Sequence, residues 1–210
     1  MARGAIGPRA LSWYDDIMSD TGVFLTRAAE GLDRRGFSLA DVEKMIAAGI
    51  LEADEKFELI DGEIVPMSPQ AMPHMMMRTR IGNWFTRAAP EGLEVIQDAT
   101  LVLAHKTFLE PDILVFRPDR RRRYPKPDQA QLVVEIADSS RARDLHTKAP
   151  RYGAAGVPEL WVVELNERVT YVFRGPGSEA WANAAQMSFD DPLEALFLPG
   201  AQLRVAEFED

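Results

Sequence analysis

The sequence predicts an α/β fold with central strands covered on both faces, and three features carry that reading. Apolar residues recur at helical spacing in two stretches, an Asp-Gly pair separates two short β-type runs, and the later runs ILVF and LVVEI are apolar without a break. Alternation marks a strand with one wet face, whereas a continuous apolar run marks one buried on both. With 210 residues and 46% apolar side chains, the chain can bury a sizeable core.

Residues 1–37 lack a clear period and read as a partly ordered N-terminal extension, with residues 38–210 as a single domain. Ser38 followed by Asp41 resembles a capping box, Leu39, Val42, Met45 and Ile46 share a helical face, and Gly49 supplies a stop. Asp61-Gly62, between FELI and EIVPM, signals a two-residue hairpin. After the polar loop SPQAMP a second helix is expected from His74 to Ala88, with Met77, Ile81, Trp84, Phe85 and Ala88 on one face. Three or four strands follow: LEVIQDATLVL and TFLEPDILVF are joined by a short polar turn at His105-Lys106, and QLVVEIAD, the third, lies beyond the Arg-rich loop. After SSRARD a helical segment reaches to about Ala155, although Pro150 is poorly tolerated inside a helix. LWVVEL and VTYVF form a hairpin around Asn166-Glu167, and a short strand and LPGAQLRV close the chain. The five methionines from Met67 to Met77 are expected to fill core and helix contacts.

Composition excludes several chemistries. With no cysteine there is no disulfide framework, thiolate zinc site or cysteine nucleophile. Only His74, His105 and His146 could serve a histidine-rich metal site, so hard oxygen ligands are the better-supplied alternative. A serine hydrolase built on Ser139 or Ser140 lacks a G-x-S-x-G turn. No run is long and apolar enough to span a bilayer and no signal-peptide core forms, so a cytoplasmic protein without an organic cofactor is expected. The net charge of −9 opposes binding to nucleic acid, yet it is segregated. Residues 117–126 hold six basic groups against one acid, and Arg120–Arg123 are therefore either a phosphate contact or a solvated charge run.

Two acids interrupt apolar strands: Asp112 at the entrance to ILVF, and Glu135 inside LVVEIA on the face of Val133 and Ala137. A carboxylate there is costly to desolvate unless it is paired, protonated or bound to a cation. If the two strands are neighbours, both carboxylates converge on one hard ion, for which Mg²⁺ is suited. The plainer reading makes Glu135 an arginine's partner and Asp112 a strand-start residue. Glu58 is a third acid on a strand that could edge the same cleft, with Glu63 a weaker candidate. Asp144, Lys148 and Tyr152 stand four apart and share a helical face, from which Lys148 either enters the cleft or forms a surface ion pair with Asp144.

The ordered string FELIDGE, MSP, PD, LVVEIADSS, then Asp144, Lys148, Tyr152 and GVPELWVVE resembles the Uma2-like family of restriction-endonuclease-like proteins, within the PD-(D/E)XK nuclease superfamily. The resemblance runs from about Ser38 to the end of the chain. It implies a restriction-endonuclease-like core, a central mixed β-sheet flanked by helices, a divalent metal (Mg²⁺ or Mn²⁺) and hydrolysis of phosphodiester bonds in DNA, with a homodimer able to cut both strands. It assigns Asp112, Glu135 and Glu58 to the metal and Lys148 to catalysis. Ala137 occupies the superfamily's usual lysine position, two residues past the acid, and Lys148 supplies the lysine from the following helix. His74 matches a histidine after the SP loop, read as a helix-start residue, and Ser139 and Ser140 match a small polar turn, read as a cap. The rival is a non-catalytic module of this fold that binds nucleic acid or protein in a mobile-element or defence context.

Overall fold

The computed structural model describes residues 35–52, 54–138, 140–177 and 181–209. Most of the expected extension, residues 1–34, lies outside them. Its end does not stand apart: the Phe37 amide donates to the Gly62 carbonyl at 2.8 Å, and Phe37 packs on the cluster that holds Val42.

Helix α1 (Leu39–Ala47) opens with the expected capping box, in which the Asp41 amide bonds Ser38 Oγ and the Ser38 amide bonds the Asp41 carboxylate. Strands β1 (Phe57–Ile60) and β2 (Glu63–Pro66) form the hairpin. Its turn residues Asp61 and Gly62 have φ of 52° and 90°, the left-handed pair that a two-residue turn requires. A Cβ on Gly62 would lie 2.6 Å from the Gly36 Cα, so this position also needs glycine for space. Helix α2 (Met72–Ala88) starts two residues earlier than expected, with Pro73 in its first turn, and buries Met77, Ile81 and Phe85. Of the five methionines only Met77 enters the core, while Met72 and Met76 are exposed, against the expectation of filler.

The next stretch departs from the two long strands expected. LEVIQDATLVL divides into β3 (Glu94–Gln97) and β4 (Leu101–Ala104), and TFLEPDILVF into β5 (Thr107–Leu109) and β6 (Ile113–Phe116). The ribbon breaks at Asp98, which has φ of 52°, and at Glu110–Asp112 opposite, and its halves join different sheets. β4 and β5 complete an antiparallel four-stranded sheet of order β2-β1-β5-β4.

Strand β7 (Ala130–Ala137) pairs antiparallel with β6 and parallel with β8 (Glu159–Glu164). β9 (Val169–Arg174) and β10 (Asn183–Ser188) complete a mixed six-stranded sheet of order β10-β9-β8-β7-β6-β3. The parallel pair requires a crossover, which α3 (Arg141–Arg143), a π-helical turn (Asp144–Lys148) and α4 (Ala149–Ala154) supply without a break. The π turn resolves the conflict at Pro150. In an unbroken α-helix that ring would meet the His146 carbonyl with no N–H to give. Here the Ala149 amide bonds Asp144 O, five residues back, and Pro150 falls in the first turn of α4.

Period-2 alternation divides β7 between two cores. Leu132, Val134 and Ile136 pack with Met77, Ile81 and Phe85 of α2, while Val133 and Ala137 pack with Leu145, Ala149 and Tyr152 of the crossover. Ile60, Leu101 and Leu109 of the small sheet join the second group, so the crossover is wedged between the sheets. The tail is held by Glu159, which is fully buried and accepts from Trp161 Nε1 (2.9 Å), Arg174 Nε (2.8 Å) and the Leu196 amide (2.7 Å). Glu159→Ala leaves these donors without an acceptor, and a loss of about 2–4 kcal/mol is expected, read as a lower denaturant midpoint.

Candidate functional site

The site lies at the seam where the ribbon changes sheets. Asp112 sits at that break, and the register Ile113↔Val134, continued by one residue, sets it across from Glu135 on the crossover side of the large sheet. The Ile136 amide donates to Asp112 Oδ2 at 2.7 Å, a bond that ties the first acid to the strand carrying the second. His74 Nε2, from the first turn of α2, lies 3.2 Å from the same oxygen. Gln70 Nε2 donates to Oδ1 at 3.3 Å, and Arg78 holds Gln70 Oε1 at 2.8 Å while pairing with Asp98. Thus α2 and the SPQA loop orient Asp112 through three side chains, and His74 does more than begin a helix.

Glu135 is 2% exposed and is held from the crossover. Tyr152 Oη donates to its Oε1 at 2.6 Å, and Lys148 Nζ lies 3.3 Å from both its oxygens. The same ammonium reaches Glu58 Oε1 at 2.9 Å and Asp144 Oδ1 at 3.6 Å. Lys148 is therefore a buried charge between three carboxylates, not part of a surface pair. Ser140, expected as a cap, makes no side-chain bond to the helix backbone and instead donates its hydroxyl to Asp144 at 2.5 Å. Ser139 lies outside the described residues.

Electrostatics follow from burial with an excess of acids. Burial pushes the Glu135 carboxyl well above the usual carboxylate range; Lys148 opposes this, while Asp144, Asp112 and Glu58 add to it. Burial likewise raises Asp144 to about 6, against the pull of Lys148 and the Ser140 hydroxyl. For Lys148 burial disfavours the charge, but Glu135, Glu58 and Asp144 together outweigh it and hold the ammonium above its ordinary range. Lys148 thus keeps its proton, and the Glu135 and Asp144 carboxyl groups hold more protons than they would in water.

Asp112, Glu135, Asp144 and Lys148 line one cleft of roughly 170 Å³, together with His74, Gln70 and Arg143. Glu58 does not. It is fully buried on β1, and its Oε1 accepts from the Glu110 amide at 3.0 Å on the far side of Lys148. Glu63, on β2, is also outside the cleft. Among the described residues no three Asp, Glu or His side chains form a ready-made metal cage. Asp112 and Glu135 nevertheless supply two hard carboxylates on one open cleft with surplus negative charge, which suits Mg²⁺, an ion that keeps most of its waters. Asp144, Gln70, Arg78 and Arg143 were missed as site residues; only Asp144, four residues before Lys148, carried a sequence signal.

The Arg-rich loop follows the end of β6, whereas Asp112 precedes its start, so loop and cleft lie at opposite ends of that strand. Arg121 pairs with Asp119, Arg122 with Asp128 and Arg123 with Glu43, as in a charge run that satisfies itself.

These features define a nuclease-fold α/β protein with an acidic cleft at a strand pair. The chain belongs to the Uma2 family, described as "Putative restriction endonuclease", whose model matches residues 39–206. Among solved structures it is similar to a protein from Anabaena variabilis titled a putative nuclease belonging to DUF820. The two share a TM-score of 0.63 and 13% identity, over 82% of this chain and 97% of that one. No curated protein matches. No helix among the described residues is long and apolar enough to cross a membrane.

Proposed function

We propose that the chain is a metal-dependent endonuclease that hydrolyses phosphodiester bonds in DNA. In this reading residues 38–210 act as one nuclease-like domain, cytoplasmic and paired as a homodimer so that both strands can be cut. The observation that carries it is the convergence on one cleft of Asp112, Glu135 and Lys148, from two paired strands and a crossover. Asp112 and Glu135 would hold Mg²⁺ or Mn²⁺. Such an ion would supply Lewis-acid chemistry, making a water more acidic and polarising the scissile phosphate. Asp112 is aimed by the Ile136 amide, His74 and Gln70. Tyr152 and Lys148 hold Glu135 in one rotamer. Lys148 acts as a fixed positive charge beside the reacting phosphate and not as a base, because three carboxylates keep it protonated. Glu58, placed behind the lysine, acts by positioning it.

A non-catalytic module is favoured by one observation, that Lys148 already satisfies Glu135 without a metal. Removing the metal separates the readings. Calorimetric titration of Mn²⁺ into the wild-type chain is expected to show binding, and plasmid nicking in Mg²⁺ is expected to stop with EDTA and return when Mg²⁺ is restored. A chain that neither binds Mn²⁺ nor nicks plasmid is the non-catalytic module.

A further inference from the structure

An acidic cleft repels a polyanion, so a DNA strand lying over Asp112 and Glu135 needs a positive group that is not already committed. Three basic side chains line the cleft. His74 is engaged by Asp112, and Lys148 by Glu58, Glu135 and Asp144. The Arg143 side chain has no hydrogen bond, ion pair or ring contact among the described residues, although it is only partly exposed and directly precedes Asp144 in the chain. Its neighbours on the crossover differ. Arg141 bonds Glu167 and Tyr171, and Arg151 bonds Asp61 and the Thr147 carbonyl. A guanidinium left unpaired at an acidic cleft pays desolvation and strand ordering least when its partner arrives with the substrate.

We infer that Arg143 is the residue that grips the DNA backbone, its guanidinium donating to the non-bridging oxygens of a phosphate beside the scissile one. A planar fork of donors matches a phosphate in a way that a lysine does not. Its place on α3, one residue before the π turn that carries Asp144 and Lys148, sets the gripped phosphate at the cleft edge. The contact forms on binding and persists through reaction, so it governs KM and not kcat. The Arg120–Arg123 loop does not serve this purpose, because it lies at the other end of β6. This inference rests on the nuclease reading and names the group that recognises its substrate.

The test is fluorescence anisotropy with a short fluorescein-labelled DNA duplex in Ca²⁺, across a range of KCl, for the wild type, Arg143→Ala and Arg143→Lys. Nicking kinetics in Mg²⁺ and thermal melts accompany it. For Arg143→Ala the expected result is about a tenfold loss of affinity, with a log–log salt slope smaller by about one phosphate contact. KM should rise by a similar factor with kcat within about twofold, and the melting temperature should change little because no hydrogen bond, ion pair or ring contact is lost. Arg143→Lys should restore most of the salt slope and only part of the affinity. Wild-type affinity and slope in Arg143→Ala, while the wild type still nicks, would overturn the inference and leave the nuclease reading standing. A wild type that neither binds the duplex nor nicks overturns both.

Discussion

Lys148→Met is expected to lower stability by about 3–5 kcal/mol and to abolish nicking. Methionine matches the length of the lysine stem, so the substitution leaves little cavity, and the loss is that of a charge. The ammonium is 2.9 Å from Glu58, 3.3 Å from both oxygens of Glu135 and 3.6 Å from Asp144, and no other cation among the described residues is within ion-pair distance of any of these three acids. Removing one side of a buried ion cluster strands the other, at about 3–5 kcal/mol. For a chain of this size that corresponds to a melting temperature lower by roughly 6–20 °C. The effect crosses the fold, because Glu58 belongs to the small sheet, Glu135 to the large one and Lys148 to the crossover between them. The pH dependence has a definite sign. In the wild type Asp144 is raised from 3.8 to about 6, so between those values the folded chain binds a proton that the unfolded chain has released. Stability from this group is therefore present at acid pH and lost as pH rises through about 6. In Lys148→Met the opposing pull of the ammonium on Glu135 and Asp144 is gone, so both move further up, which widens the window and steepens the decline. Paired melts at pH 5 and pH 7.5 should show a larger deficit for the variant at the higher pH. An equal deficit at both would mean that the lysine contributes packing and not charge.

The two principal acids were legible because their setting is physically costly. A carboxylate at the entrance to ILVF or inside LVVEI must have a reason to be there, and β-sheet alternation fixes which face it takes. The Asp61-Gly62 hairpin and the Ser38 cap were legible because their chemistry is local, complete within four residues. What could not be read depends on contacts distant in sequence. The ribbon changes sheets at Asp98 and Glu110–Asp112, where Asp98 answers to Arg78 on α2 and the Glu110 amide answers to Glu58 on β1. No period records such partners, so two continuous strands were the natural expectation. Pro150 marked a conflict whose solution, the π turn, was not visible because it is set by how the crossover seats Leu145 and Ala149 against the sheets. That turn also decides Glu58: with Lys148 packed against it, the acid faces the lysine and leaves the cleft to Asp112, Glu135 and Asp144.

Asp112→Asn separates chemistry from architecture most cleanly. The amide is isosteric with the carboxylate, and its oxygen can still accept from the Ile136 amide at the position where Oδ2 now does, at 2.7 Å. The bond that joins the β6 entrance to β7 therefore survives, and the core residues on both sides, Ile113 and Leu114, are untouched. Stability is expected to stay within about 1 kcal/mol of the wild type. The charge does not survive. Asparagine presents a hard cation with one neutral oxygen, already occupied by an amide, and turns its NH₂ toward the Gln70 amide that now donates to Oδ1 at 3.3 Å. Mn²⁺ affinity should fall by at least tenfold and plasmid nicking by about a thousandfold, the equivalent of about 4 kcal/mol of transition-state stabilisation. Calorimetry, nicking rate and a melt on one preparation read all three quantities. A variant that melts with the wild type, fails to bind Mn²⁺ and fails to nick places the metal on Asp112. A variant that nicks at the wild-type rate would move the chemistry off the β6–β7 strand pair altogether, since Glu135 is already shared between Tyr152 and Lys148 and could not hold the ion alone.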